Sequence, residues 1–312
     1  MKKSIPILLA FALLSTACQL GGARAEPTAI AFATAGPTAT PILLNPTVQP
    51  VSGNVDAGSE RVSAADGMIQ VYIPEGPFQM GGLDPNASGD ELPVHKVTMH
   101  GFWMDKVEVT NAMYALCIQA GACDLPKAFQ SDTRTSYFNN PEFADYPVVY
   151  VGWGDASNYC QWAGRRLPTE AEWERAARGN DFRTYPWGDE RADSSKANIN
   201  FYIGDTTRVG SFPAGASYFG ILDMAGNVAE WVNDYYDSNY YSAAISVNPP
   251  GPIARSSYIR RVVRGGSFQD AEAYVRVSKR SSVKGPDFNA DLDSQEYIGT
   301  TSPKIGFRCA AD

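Results

Sequence analysis

Apolar positions fall into three regimes along the chain. An uninterrupted run from Ile5 to Leu14 comes first, the stretch from Gln19 to about Asp66 shows no apolar periodicity, and from Met68 onward short patterned segments alternate with turns. Within the third regime, Met68 to Ile73 and Lys96 to Val107 carry the β-branched and aromatic content of strands, with Val97 and Met99 alternating against Lys96 and Thr98. Three helices follow from their punctuation. Thr110 caps one running through Tyr114 and Ile118 to a stop near Gly121, and Asp155 caps one running through Tyr159 and Trp162 to Gly164. In the third, Thr169 and Glu172 form an S/T-x-x-E capping box, Trp173, Ala176 and Ala177 share a face, Glu170 and Arg178 complement the helix dipole, and Gly179 ends it. Beyond it the chain returns to short strands, expected at Arg261 to Phe268, Tyr274 to Arg280 and Gly306 to Ala310. Helices followed by irregular sheet imply an α+β fold rather than alternating βαβ units.

Composition sharpens this picture in two respects. With 44% hydrophobic and 19% charged residues in 312, the chain can bury a sizeable core, and its 16 Tyr, 6 Trp and 28 Gly favour aromatic packing between ordered loops over a helical bundle. A net charge of −8 leaves no basic stripe to neutralise a phosphate backbone, so nucleic acid is excluded as a partner.

The first regime reads as an export signal. Lys2 and Lys3 precede the apolar run, which is too short to span a bilayer as a mature helix, and Ser15, Thr16 and Ala17 lead to Cys18. Small residues before a cysteine resemble the lipobox of bacterial lipoproteins, although Ser15 stands where leucine is usual and Leu14 lies one place further back. Residues 1–18 are therefore expected to be a signal peptide ending at a lipidated Cys18, the alternative being a plain signal with an unrelated cysteine. The expected result is an exported cell-envelope lipoprotein, anchored to the outer face of a membrane. Residues 19–66, rich in Pro, Thr, Ala, Gly and Ser, cannot bury enough surface to offset their ordering entropy and are expected to form a disordered tether with a reach on the order of 100 Å. The globular domain is then expected at 67–312.

Removing Cys18 leaves Cys117, Cys123, Cys160 and Cys309, an even number in an exported chain. Four cysteines allow three pairings. Cys117 and Cys123 flank the helix end at Gly121, close enough for a local staple, and Cys160 on its helix could then meet Cys309 near the C-terminus. A reactive thiol is the competing reading, with neither a CxxC partner nor a neighbouring histidine to support it.

Seven segments in order then resemble one family: GPFQMGG from Gly76, ELPVHKVTM from Glu91, KVEVTNAMY from Lys106, the long segment Tyr146 to Gly179, FGILDMAGNVAEWV from Phe219, VVRGGSF from Val262 and GFRCA from Gly306. Together they resemble the sulfatase-modifying factor, or formylglycine-generating, domain from about residue 67 to the end. The resemblance implies an irregular α+β fold with a C-type lectin-like core, short strands, few helices and many ordered loops, and it also supports pairing Cys160 with Cys309.

It further implies an oxidase pocket in which two cysteines shortly after a Gly-Gly-Ser segment hold copper. The matching positions are Asp270 and Val275, and neither supplies a soft thiolate for Cu(I). Gly265, Gly266, Ser267 and Tyr274 do match, leaving Ser267, Asp270, Glu272, Tyr274 and Arg276 as polar candidates for a modified pocket, with a tight strand-to-loop bend as the simpler reading. An iron-dependent branch of the superfamily needs several imidazoles, whereas only His95 and His100 are present, and no G-x-S-x-G elbow marks a serine nucleophile. Copper and iron are thus not expected.

Calcium is expected. In DMAGNVAEW, Asp223 and Glu230 offer carboxylates, and the Gly226 and Val228 carbonyls, turned inward around Asn227, complete an all-oxygen set that by resemblance is the family's calcium loop. A second site implied by resemblance uses the Asn198 side chain, the Ile199 carbonyl and Asp205. These residues are consistent with a ligand-binding or accessory module that has a protein, peptide or glycan partner and no formylglycine-generating activity. The alternative is an extracytoplasmic enzyme using a modified pocket.

Overall fold

A computed structural model describes residues 55–82, 84–253, 260–291 and 294–312. Residues 1–54, with Cys18 and most of the expected tether, lie outside the described residues.

The described chain builds three small sheets around a few helices. Strands β1 (Glu60–Val62), β2 (Ile69–Ile73), β3 (Gly76–Met80), β4 (His95–Met99) and β5 (Phe102–Asp105) come first. Helices α1 (Asn111–Gln119), α2 (Trp153–Trp162) and α3 (Glu170–Arg178) follow, then β6 (Ala229–Tyr235), β7 (Arg260–Arg264), β8 (Ser281–Lys284), α4 (Gln295–Ile298), β9 (Ile305–Phe307) and β10 (Ala310–Ala311). The sheets have orders β1-β2-β5-β10, β3-β4 and β8-β7-β6-β9, antiparallel except where β9 lies parallel to β6. Few helices and short strands joined by ordered loops make this the α+β fold that the residue pattern implies.

Several local rules explain the elements. On β4, Val97 and Met99 are buried while Lys96 is exposed, the alternation of a half-buried strand. The Thr110 side chain accepts from Met113 N at the start of α1. At α3 the capping box is complete, with Glu172 N donating to Thr169 Oγ1 at 3.2 Å and Thr169 N donating to Glu172 Oε2 at 2.7 Å. All nine residues of α3 are buried, its charged ones included. That is possible because the charges pair internally: Glu170 and Glu174 both meet Arg264, Glu170 also meets Arg280, and Glu174 also meets Arg178.

Four expectations are corrected. Residues 55–66 belong to the domain and not to a tether, because β1 pairs with β2 and the buried Asp66 carboxylate receives Arg165 and Tyr159. Lys96 to Val107 is two strands, broken at His100 and Gly101. Asp155 is not the cap of α2; Gly152 is, and Asp155 sits three residues in, accepting from Gly152 N at 2.9 Å. Tyr274 to Arg280 is a short 3₁₀ turn and further turns, not a strand. Its alternation misleads because Arg276 and Arg280 point inward to carboxylates, so both sets of side chains are buried.

The core has two main parts. One surrounds Trp173 with residues of β2 to β5, α3 and β7; the other gathers Tyr114, Tyr159, Trp231 and Phe307 with both cysteines of the Cys160–Cys309 bridge. Both expected disulfides are formed, Cys117–Cys123 and Cys160–Cys309.

Candidate functional site

The Gly-Gly-Ser segment turns sharply out of β7. Gly265 and Gly266 both have positive φ, and a Cβ on Gly266 would lie 2.8 Å from Val275 Cγ1, so the turn fits only without a side chain. Asp270 locks it: its Oδ2 accepts from Ser267 N at 2.8 Å and from Ser267 Oγ at 2.7 Å. Val275 is fully buried against Tyr185, Ala197, Ile199 and Ala225. At the two positions matched to copper-binding cysteines, the chain therefore places a turn-capping carboxylate and a core hydrocarbon. These residues do not fit copper.

The remaining pocket candidates are adjacent in sequence but do not converge. Glu272 forms a surface ion pair with Arg191 at 2.6 Å, and Tyr274 stands exposed. Arg276 is buried and committed to Glu91, Asp84 and Ser278. His95 Nδ1 lies 3.0 Å from Pro93 O, and the His100 backbone N–H donates to Asn248 Oδ1 at 2.8 Å while its side chain is exposed.

A second constellation lies behind the turn. Gly226 N donates to Gly265 O, Asn227 N to Asn198 O and Phe268 N to Asn227 O, so the DMAGN loop, the Asn198 segment and the Gly-Gly-Ser turn are stitched together. Asp223 and Asn227 both adopt positive φ in this loop. A Cβ on Gly226, also at positive φ, would collide with the Asn198 carbonyl. Three carboxyls, those of Glu108, Asp223 and Glu230, are buried with one guanidinium, that of Arg308.

The guanidinium takes one of them. Arg308 Nε and Nη2 donate to Glu230 at 2.7 Å each, and Trp173 Nε1 donates to the same carboxylate at 2.8 Å, so Glu230 is spoken for. Asp223 Oδ2 accepts from Gly210 N, while Glu108 Oε1 accepts from Asn227 Nδ2 and Glu108 Oε2 is buried without a hydrogen-bond partner. Burial first, and then the Asp223 charge, push the Glu108 carboxyl well above its ordinary range; burial also raises Asp223. Arg308 lowers both carboxyls without offsetting their burial, so three acids share one guanidinium, and an orphaned oxygen among them suits a hard cation. Of the expected calcium loop, Asp223 thus stands beside the unpartnered Glu108 oxygen, whereas Glu230 has no oxygen to spare. Glu108 escaped the sequence reading, because alternation with Val107 and Val109 would put it on the solvent side of a strand, whereas it is fully buried.

The second expected calcium site is differently built. The Asp205 carboxylate accepts from Ser131 Oγ, Thr133 N, Thr133 Oγ1 and Thr206 N and pairs with Arg134 at 3.2 Å. It is a loop tie already neutralised by an arginine. Asn198 Nδ2 donates to Asp205 O at 2.8 Å and its Oδ1 is unpartnered, while the Ile199 carbonyl accepts from Tyr202 N. Among the described residues no group of three or more His, Cys, Asp or Glu side chains is arranged to hold a metal, so any cation here depends on main-chain oxygens.

Comparison with known proteins identifies the family. Residues 56–312 match the Sulfatase-modifying factor enzyme 1-like domain. The formylglycine-generating enzyme of Streptomyces coelicolor is 34% identical over 296 residues, covering 78% of this chain and 89% of that protein. Serine/threonine-protein kinase Pkn1 of Chlamydia trachomatis is 35% identical over 253 residues, covering 78% of this chain, but the chain spans only 38% of that relative's length. Among solved structures, PvdO from Pseudomonas aeruginosa superposes with a TM-score of 0.67 at 25% identity, covering 83% of this chain and 99% of PvdO. Treponema denticola variable protein 1 shares the fold, with a TM-score of 0.60 at 19% identity over 81% of this chain and 98% of its own. The ordered motifs, the stitched turn and loop, and a match across residues 56–312 place the chain in the sulfatase-modifying factor family.

Proposed function

We propose that this chain is an exported, membrane-tethered binding or accessory module of the sulfatase-modifying factor family that does not generate formylglycine. The observation that carries this reading is the pair Asp270 and Val275: a capping carboxylate and a buried hydrocarbon stand at the positions matched to the oxidase thiols. Without soft thiolates, Cu(I) has no site at which oxygen could be activated. Two of the polar groups that a modified pocket would use are spent on structure, Arg276 on Glu91 and Asp270 on Ser267. Export and tethering rest on the residues up to Cys18 and on the low-complexity stretch after it. Calcium is proposed as a structural cofactor held by Asp223, Glu108 and neighbouring carbonyls, supplying the positive charge that this buried group lacks. The test is direct. Purified protein loaded with copper and offered a cysteine-containing sulfatase peptide should yield no aldehyde above a no-enzyme control; copper-dependent aldehyde formation overturns the reading.

A further inference from the structure

A cleft of about 440 Å³ opens on the outer side of α2, between that helix and Pro286, Phe288, Tyr297 and Ile298. Three aromatic side chains line it, Trp153 from α2 and Phe288 and Tyr297 from the opposite wall. Phe288 and Tyr297 pack edge to face with ring centroids 5.8 Å apart.

The walls are held before any ligand arrives. Trp153 Nε1 donates to Val232 O at 2.8 Å, and the Arg261 guanidinium lies 3.6 Å from the Trp153 ring centroid and 3.5 Å from that of Tyr235. Helix α2 is fixed by the Cys160–Cys309 bridge, and the far wall by Asp287 N donating to Glu296 O and Thr300 N to Lys284 O. A fixed ring loses little entropy when a ligand stacks on it.

Around the aromatics sits a polar fringe of Asp124, Lys127, Asn158 and Gln161. Lys127 Nζ, the Asn158 amide and the Tyr297 hydroxyl have no hydrogen-bond partner among the described residues, and all three are at least partly exposed. The fringe mixes donors and acceptors, with one cation beside the carboxylates of Asp124 and Asp155, so the cleft has no surplus positive charge for a phosphate or sulfate. Aromatic side chains rimmed by amides and mixed charges suit a ligand with one face of C–H bonds and an edge of hydroxyls. A pyranose ring has that distribution.

We propose that this cleft binds a neutral saccharide, with Trp153 and Tyr297 stacking on the sugar and Asn158, Gln161 and Lys127 bonding its hydroxyls. The proposal rests on the reading of the chain as a binding module and gives that module a ligand class. It is tested by calorimetric titration of the intact protein with chitohexaose, cellohexaose, mannohexaose and xylohexaose. At least one should bind, and Tyr297→Ala and Asn158→Ala should each weaken it by at least about tenfold. Phe182→Ala, at an exposed ring elsewhere, should leave it unchanged. Trp153→Ala should abolish binding; because it also strips Arg261 of a partner, its folding is checked by circular dichroism, and the Tyr297 variant decides if it unfolds. Binding to none of the four, binding indifferent to Tyr297 and Asn158, or a proline-rich peptide occupying the same residues in place of sugar overturns the assignment. A negative result here with no aldehyde formed sinks only the saccharide, whereas copper-dependent aldehyde formation sinks the underlying reading.

Discussion

Arg276 grips Glu91 at two points across 185 residues of chain, Nη1 to Oε2 at 2.8 Å and Nη2 to Oε1 at 2.9 Å, with both side chains buried. Asp84 and Ser278 add to the same guanidinium, so an arginine that sequence places in a modified pocket instead ties the segment after the Gly-Gly-Ser turn to the loop before β4. Removing one partner of a buried ion pair strands the other. Arg276→Ala should therefore cost about 3–5 kcal/mol in urea unfolding, and a loss below about 1 kcal/mol would show that the pair is not a brace.

The same pair sets an acid limit on stability. Burial alone would raise the Glu91 carboxyl, but bonds from Arg276, Ser88 N and Ser278 outweigh it and hold the group down at about 2, below its ordinary 4.5. A depressed carboxyl contributes stability that is fully present above its unfolded value and lost as pH falls through the folded one. The melting-temperature gap between wild type and Glu91→Gln should accordingly be constant above pH of about 5 and shrink between about 4.5 and about 2. A gap independent of pH across that window would contradict the assignment.

Fold and site were legible in the sequence to different degrees, for physical reasons. The capping box at Thr169 and Glu172 is a local event with a short signature, and the structure forms it with both bonds. Alternation on β4 was legible because one face meets the core and the other solvent. Tyr274 to Arg280 defeated the same reasoning: its arginines are buried by carboxylates far away in the chain, a fact that no local pattern contains. Glu108 was missed for a related reason, since its partners Asp223 and Asn227 lie more than a hundred residues away. Residues 55–66 looked like linker because β1 is short and exposed; what fixes them is Asp66, through Arg165.

The two disulfides should differ in worth. Cys160–Cys309 closes a separation of 149 residues and Cys117–Cys123 one of 6. Chain entropy values them at about 5 and about 2 kcal/mol respectively. Cys160→Ala with Cys309→Ala should lower stability more than Cys117→Ala with Cys123→Ala, as read by urea midpoints under oxidising conditions. The reverse order, or free thiols at these positions in folded oxidised protein, would remove the argument.

Anchoring predicts a labelling result. Cells given a radiolabelled fatty acid should mark the wild-type protein and not Cys18→Ser, because a lipobox-type cysteine is the acceptor. Equal labelling of both, or recovery of wild type as a freely soluble product, would point to a plain signal peptide. Protease should trim the proline-rich stretch after Cys18 and stop near residue 55, where the described domain begins.

Calcium offers the sharpest test of the buried acidic group. Glu108 and Asp223 lie together behind the DMAGN loop, the Glu108 carboxyl raised by burial and then by the Asp223 charge and the Asp223 carboxyl raised by burial, and Arg308 is occupied by Glu230. Without a cation the pair relieves repulsion by retaining a proton; with calcium it ionises fully, so binding should release protons and strengthen as pH rises. Because the formed site binds and the unfolded chain does not, the melting temperature should climb once free calcium exceeds its dissociation constant. Asp223→Asn and Glu108→Gln should each suppress most of that rise while keeping the fold, since an amide retains the shape and removes the charge. Glu230→Ala behaves otherwise: it strands the buried Arg308 and should lower the melting temperature with calcium or without. Asp205→Asn should loosen the Ser131 and Thr133 ties without touching the calcium response. If chelator leaves the melting temperature unchanged and calorimetry at pH 8 detects no binding, the Glu108 and Asp223 pair holds a proton rather than a metal, and the cation is withdrawn.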